Sequence, residues 1–397
     1  AMSRKVMIMH EGIMRFPNTE CGFLGGLFDY FPYVRRRLGI TTGKLTWEFL
    51  STATRKDEIG DTGGKFVFNV MKGKFDQHGN PKNQELCRVC SLDLVRESYD
   101  FLQYRSKWLE EIFELVRAND ISGERISRHP FNLRELMTAL SYNYKNDPQL
   151  VLDWLSLAFC GVFKCCEAGI LIEDVFNPEE MVKGVTLYSP QQLEWFEELL
   201  HEAISTIKQH RYWANKAIKA AESRGRFATI NIPSVGKVKV VEVFCDSFKT
   251  GAAGRQAGYQ IVIQWNQDGH CQIHGGHLKE KSEESVTKKW VHMGEVAKEL
   301  RFLEAKFRGR KIKDGQDWTA NDFILFAEND TAIPWYLPEF LTSLYNGTMS
   351  SADISPTVIG RRKIFEAVCR SLPRCLAVIK VNNNERKIVS QPELVSV

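Results

Sequence analysis

The sequence predicts an α/β fold in two domains. Residues 1–224 read as an N-terminal domain with a mainly parallel sheet flanked by helices, and residues 225–397 as a smaller C-terminal α/β domain. Three observations predict it. Strand-then-polar units recur near the start, at Lys5–Met9 before His10-Glu11-Gly12, at Glu58-Ile59-Gly60 before Asp61, and at Lys65–Val70 before Asp76 and His78. From Tyr104 to Ser223 apolar residues return at helical spacing, and after Arg224-Gly225 the texture switches to β-branched alternation. A chain of 397 residues also exceeds one ordinary hydrophobic core.

Lys5–Met9 is an apolar strand emptying into a polar turn, His10-Glu11-Gly12. Asn18 or Thr19 then offers the N-cap of a helix over CGFLGGLFDYF. His10 reads either as a hydrogen-bonded histidine closing the strand or as a metal ligand. Arg55–His78 gathers carboxylates, a histidine and glycines around two short strands. Asp61 precedes Thr62-Gly63-Gly64, and Asp76 stands two residues before His78. The same residues read either as two surface turns or as ligands aimed at one point.

Gln84–Leu102 reads as a helix in which Cys87 and Cys90 are either half of a zinc site or, as the lack of a second Cys-x-x-Cys favours, two core thiols. Helical patterns continue through SKWLEEIFELVRAND and FNLRELMTALSYNYKNDP to a strongly apolar helix spanning Val151–Phe176. Asp153 inside it is either near the helix start in solvent or pointed at a site. Ser189-Pro190 opens a long helix from Gln191 to Ser223, which ends the first domain.

Phe227–Cys245 forms two strands around Pro233–Gly236. Gly251–Gly258 is a Gly/Ala-rich helix packed closely on a sheet, its GAAG too weak a signal for a nucleotide loop. Strands follow at Tyr259–Trp265 and His270–His274, with a turn at Gly275-Gly276. Alternation puts His270 and His274 on one face and Cys271 on the other, against a zinc cluster. Glu295–Phe307 is an amphipathic helix carrying Arg301 and Glu304, and the basic run Arg308, Arg310, Lys311, Lys313 reads as a solvated face or a phosphate-binding surface. Trp335-Tyr336, Tyr345–Thr348 and Ser355–Thr357 mark turns, with a last strand after Ala377.

Composition adds bounds: 43% hydrophobic and 26% charged residues are ordinary globular values, and a net charge of +4 leaves any basic surface to local clustering. Ten cysteines with no regular framework, and no secretory segment, read as reduced thiols of a cytoplasmic protein. No uninterrupted apolar run reaches the length of a membrane span, so no membrane partner is expected.

The order of these pieces resembles the DHH phosphoesterase superfamily, and within it the melanocyte-proliferation-gene type of metal-dependent hydrolase and exonuclease. The matching pieces are Met9-His10-Glu11-Gly12, Asp61-Thr62-Gly63-Gly64 and Phe75-Asp76-Gln77-His78, with shorter likenesses around Trp335-Tyr336, Asn346-Gly347-Thr348 and Pro356-Thr357. The family's His-x-Asp is missing, because the region reads Arg15-Phe16-Pro17-Asn18-Thr19-Glu20, and Gln77 replaces the first histidine of the signature.

The resemblance implies a phosphoesterase or nuclease hydrolysing phosphodiester bonds of a nucleic acid or nucleotide. Asp61, Asp76 and His78 would be catalytic. Mn²⁺ or Mg²⁺, as one ion at most, would be held by His10, Asp61, Asp76 and His78, with Glu20 or Asp153 filling in. Arg255, His274 and Arg301 are substrate-binding candidates by residue type. A neutral Gln77 is a weaker ligand than a charged one, so a second expectation is a degenerate member that binds nucleic acid or nucleotide without hydrolysis. A third, a structural interaction protein, rests on nine tryptophans and the apolar helix.

Overall fold

The computed structural model describes residues 11–15, 17–37, 46–50, 66–68, 90–99, 106–122, 127, 129–281, 286–309, 335–337, 341–347, 354–382 and 385–389. They form an α/β protein with mixed sheets, in two compact units, Ala1–Lys208 and Gln209–Val397.

In the first unit β1 (Glu11–Arg15) is flanked by β2 (Thr46–Leu50) and β3 (Phe66–Phe68), both parallel to it. The expected turn at Glu11-Gly12 is corrected, since both residues lie in β1 and pair with Thr46 and with Trp47 and Phe66. Helix α1 (Thr19–Tyr30) follows β1 almost at once, and α2 (Pro32–Arg37) completes the crossover to β2. Asn18 is the N-cap of α1, its side chain accepting from Cys21 N at 2.8 Å.

Four helices follow: α3 (Ser91–Tyr99), α4 (Lys107–Ser122), α5 (Leu133–Asn143) and α6 (Pro148–Glu167). Glycines on one stripe of α1 let α6 approach; a β-carbon at Gly25 would stand 2.1 Å from Ser156 Oγ. Phe23 fills the joint, edge-on to Phe113, Phe159 and Phe163 with ring centroids 5.6–6.0 Å apart.

The apolar helix stops at Glu167, nine residues short of the expected Phe176. Gly169 takes φ +71° and Ile170 N returns to Cys165 O at 2.9 Å, a left-handed C-terminal closure that apolarity alone does not reveal. A separate helix, α7 (Pro178–Tyr188), follows. By length and composition α6 is apolar enough to cross a membrane, but Asp153 and Lys164 interrupt its run and 72% of its apolar window is buried inside the fold, as in a core helix.

Helix α8 (Leu193–Ser223) occupies the predicted long segment. The second unit builds a five-stranded sheet in the order β10-β7-β6-β5-β4 from β4 (Phe227–Ile232), β5 (Gly236–Phe244), β6 (Ile261–Trp265), β7 (Cys271–Gly275) and β10 (Leu344–Asn346). Only β5 and β6 are parallel, joined through α9 (Thr250–Gln256). The close packing expected there is present, since a β-carbon at Gly254 would meet Val262 Cγ2 at 2.3 Å. Val241, Val243 and Val262 on one sheet face form a core with Ala214, Ile218 and Ala253.

Two turn readings are corrected. Tyr345 and Asn346 lie in β10, paired with Gln272 and Cys271, because alternate burial of this short strand outweighs its turn-like residues. Gly275 belongs to β7, and Gly276 alone separates it from β8 (His277–Lys281), which joins β9 (Val286–Val291), β11 (Ala377–Asn382) and β12 (Glu385–Val389) in a second, antiparallel sheet. Helices α10 (Gly294–Phe307) and α11 (Arg361–Ser371) complete the unit. The nine cysteines among the described residues are free thiols.

Candidate functional site

Of the ligand and catalytic residues expected from the sequence, His10, Asp61, Asp76 and His78 lie outside the described residues, as does Cys87. Glu20 and Asp153 lie within them. Glu20 stands in the first turn of α1, directly beyond the carboxyl end of the central strand β1. Open α/β sheets build their sites at that position.

Its surroundings give Glu20 a different task. The residue is 1% exposed, and Oε1 accepts the backbone N–H of Leu92 at 3.3 Å. Leu92 is the second residue of α3, whose preceding residue, Cys90, has no good oxygen acceptor to cap it. Glu20 therefore supplies the cap from another helix. Asp93 completes the arrangement by accepting Cys90 N at 3.0 Å, and Arg117 Nε lies 3.0 Å from both Asp93 oxygens. Glu20 Oε2 is buried with no hydrogen-bond partner. Burial first, and then the charge of Asp120, push the Glu20 carboxyl well above its ordinary range. Burial likewise raises the Cys90 thiol.

Asp153 is half-buried on α6 and accepts Gln149 Nε2 at 2.8 Å, while Gln149 Oε1 accepts Trp47 N of β2 at 3.2 Å. The carboxylates whose charges act on Glu20 are Asp120 and Asp93. Glu20 is thus committed to Leu92 N, and Asp153 to Gln149 Nε2. Among the described residues no group of three or more His, Cys, Asp or Glu side chains is placed to hold a metal.

The substrate-binding candidates fall in the second unit. His274, on β7, shares a 2.9 Å hydrogen bond between Nε2 and Gln264 Oε1. Gln264 spends its Nε2 donors on the carbonyls of Cys245 and Ser247, at 2.7 and 3.0 Å. Its Oε1 is therefore the acceptor, and His274 carries its proton on Nε2. Burial and the neighbouring Arg255 pull the His274 pKa down to about 4. The ring is neutral and its one N–H is committed. Arg255 is exposed at the end of α9, its methylenes against Gly276. Arg301 is elsewhere occupied: buried in α10, it donates Nε and Nη2 to the Trp335 carbonyl at 3.1 and 2.6 Å.

Beside it Glu304 is a fully buried hub. It accepts Arg308 Nε at 2.8 Å, Trp335 Nε1 at 3.1 Å, Thr357 Oγ1 at 2.5 Å and Val358 N at 3.0 Å. These bonds hold the Trp335 and Thr357 segments together. The sequence marks both as turns, and their shared anchor is not legible there because its partners are far apart in the chain.

Charge separates the units. Residues 209–397 hold 28 Lys and Arg against 20 Asp and Glu, net +8, and residues 1–208 hold 25 against 29, net −4. The chain matches no family model, no curated protein and no solved structure.

Proposed function

We propose that this chain binds a phosphoester of a nucleic acid or nucleotide, chiefly through its second unit, in the manner of a degenerate DHH-like phosphoesterase with a two-domain plan and a parallel-sheet N-terminal domain. The observation that carries this reading is the segregation of charge, net +8 over residues 209–397. A polyanion is drawn to such a surface and loses affinity as salt rises. The burial of Glu20 and its commitment to Leu92 N support binding over hydrolysis. Titrating a fluorescein-labelled ten-nucleotide single strand tests it. Binding that weakens at least tenfold between 50 and 200 mM salt, roughly the loss expected when several phosphates are neutralised, is the expected result. No binding at low salt overturns it.

A second reading, hydrolysis with Mn²⁺ or Mg²⁺, is favoured by the place of Glu20 at the carboxyl end of the central parallel strand. A divalent ion would supply charge for the phosphoryl oxygens. Calorimetry with Mn²⁺ on the wild type and on Asp76→Asn decides it. Binding in the first and loss in the second supports the reading; equal behaviour removes it.

A further inference from the structure

We propose that Arg226, Arg361 and Phe244 form a nucleotide-binding point on the second unit, with Glu242 as the buried residue that aims the two arginines. This rests on the nucleic-acid reading above and gives it a place.

The alternation of β5 puts Glu242 and Phe244 on the sheet face opposite Val241 and Val243. Glu242 is fully buried, an expensive position for a carboxylate unless cations face it. Two do. Arg226 Nη1 lies 3.5 Å from Oε2, and Arg361 Nε lies 3.5 Å from Oε1. Neither carboxylate oxygen is engaged in a hydrogen bond. The pairs therefore act by charge and leave guanidinium N–H donors uncommitted. Both arginine side chains remain open to solvent, at 49% and 43% exposure.

Next to them is an aromatic ring with no burial to explain it. Phe244 is 52% exposed, and the Arg361 guanidinium sits 5.3 Å from its centroid. Arg361 opens α11, where Arg362 and Lys363 add two more cations to the first turn. Positive charge there works against the helix dipole, so the local potential is not set by helix stability. A planar π face beside two anchored guanidinium groups matches the two halves of a nucleotide: a base to stack and a phosphate to pair.

The test is the affinity of a fluorescein-labelled ten-nucleotide single strand for the full chain and for Phe244→Ala and Arg361→Ala, with thermal melts to confirm folding. Both substituted side chains are exposed, so the fold should survive. We expect at least a fivefold rise in Kd for each, with the salt dependence reduced in Arg361→Ala and unchanged in Phe244→Ala. Glu242→Gln should also weaken binding, and Arg362→Ala much less. If the wild type binds and both key variants bind as tightly, this inference fails while the wider reading stands. If the wild type does not bind the strand, the wider reading fails and this one with it.

Discussion

Gly161 of α6 and Gly184 of α7 bring two helix backbones into direct contact: a β-carbon at Gly184 would stand 2.4 Å from the carbonyl carbon of Gly161. No side chain can rotate out of the way, because the obstacle is main chain. Gly184→Ala should therefore force the helices apart and cost about 1–3 kcal/mol, as overpacking does. A drop in the urea midpoint with an unchanged slope would show it; a midpoint equal to wild type would mean the helices do not meet this way.

Glu304 makes four hydrogen bonds in a buried setting, including one to the indole of Trp335. Glu304→Ala strands those donors and should cost about 3 kcal/mol or more. Glu304→Gln keeps an oxygen acceptor and should cost less. Trp335 fluorescence during denaturation reports the loss, and equal stability of the two variants would contradict it.

Burial raises the folded pKa of Glu20 above its ordinary 4.5. The folded state then binds more protons than the unfolded one, and stability falls as pH rises beyond about 4.5. Glu20→Gln removes that penalty while keeping an acceptor for Leu92 N. Its melting temperature should exceed that of wild type at pH 8, with the gain shrinking toward pH 5. A variant less stable at both values would show that the ionised carboxylate is the native form.

His210 and His274 work in the opposite sense. Burial lowers both to about 4 from an ordinary 6.5. The unfolded chain takes up these protons first, so the stability is present above pH 6.5 and is lost as pH falls toward 4. The urea midpoint should decline through that window, and the decline should be shallower in His274→Gln. An unchanged profile in that variant would remove His274 from the account.

What was legible in the sequence was local. The period of α8, the β4–β5 hairpin and the amphipathic α10 were written in neighbouring residues, and the structure holds them at nearly the expected bounds. The apolar helix is shorter than its hydrophobicity implies, because apolar residues run on past Ala168 while the signal that ends it is one glycine at positive φ. Site roles were harder. The sequence offers Glu20 as a charged ligand, yet its partner Leu92 lies 72 residues away and its burial disfavours that charge. Residue type alone points to His274 and Arg301, and both donate to neighbours that no spacing rule predicts. The pairing of Glu242 with Arg361 escaped notice for the same reason.

The free cysteines have a use that does not depend on function. Cys160 is buried in the first unit, and Cys271 and Cys375 in the second. Burial raises the Cys160 and Cys271 thiols, and lifts Cys375 to about 12. Almost none of this sulfur is thiolate at neutral pH, so an alkylating reagent must wait for the chain to open. The protein carries its own stopwatch in each half, and the order in which these thiols are captured records which half comes apart first.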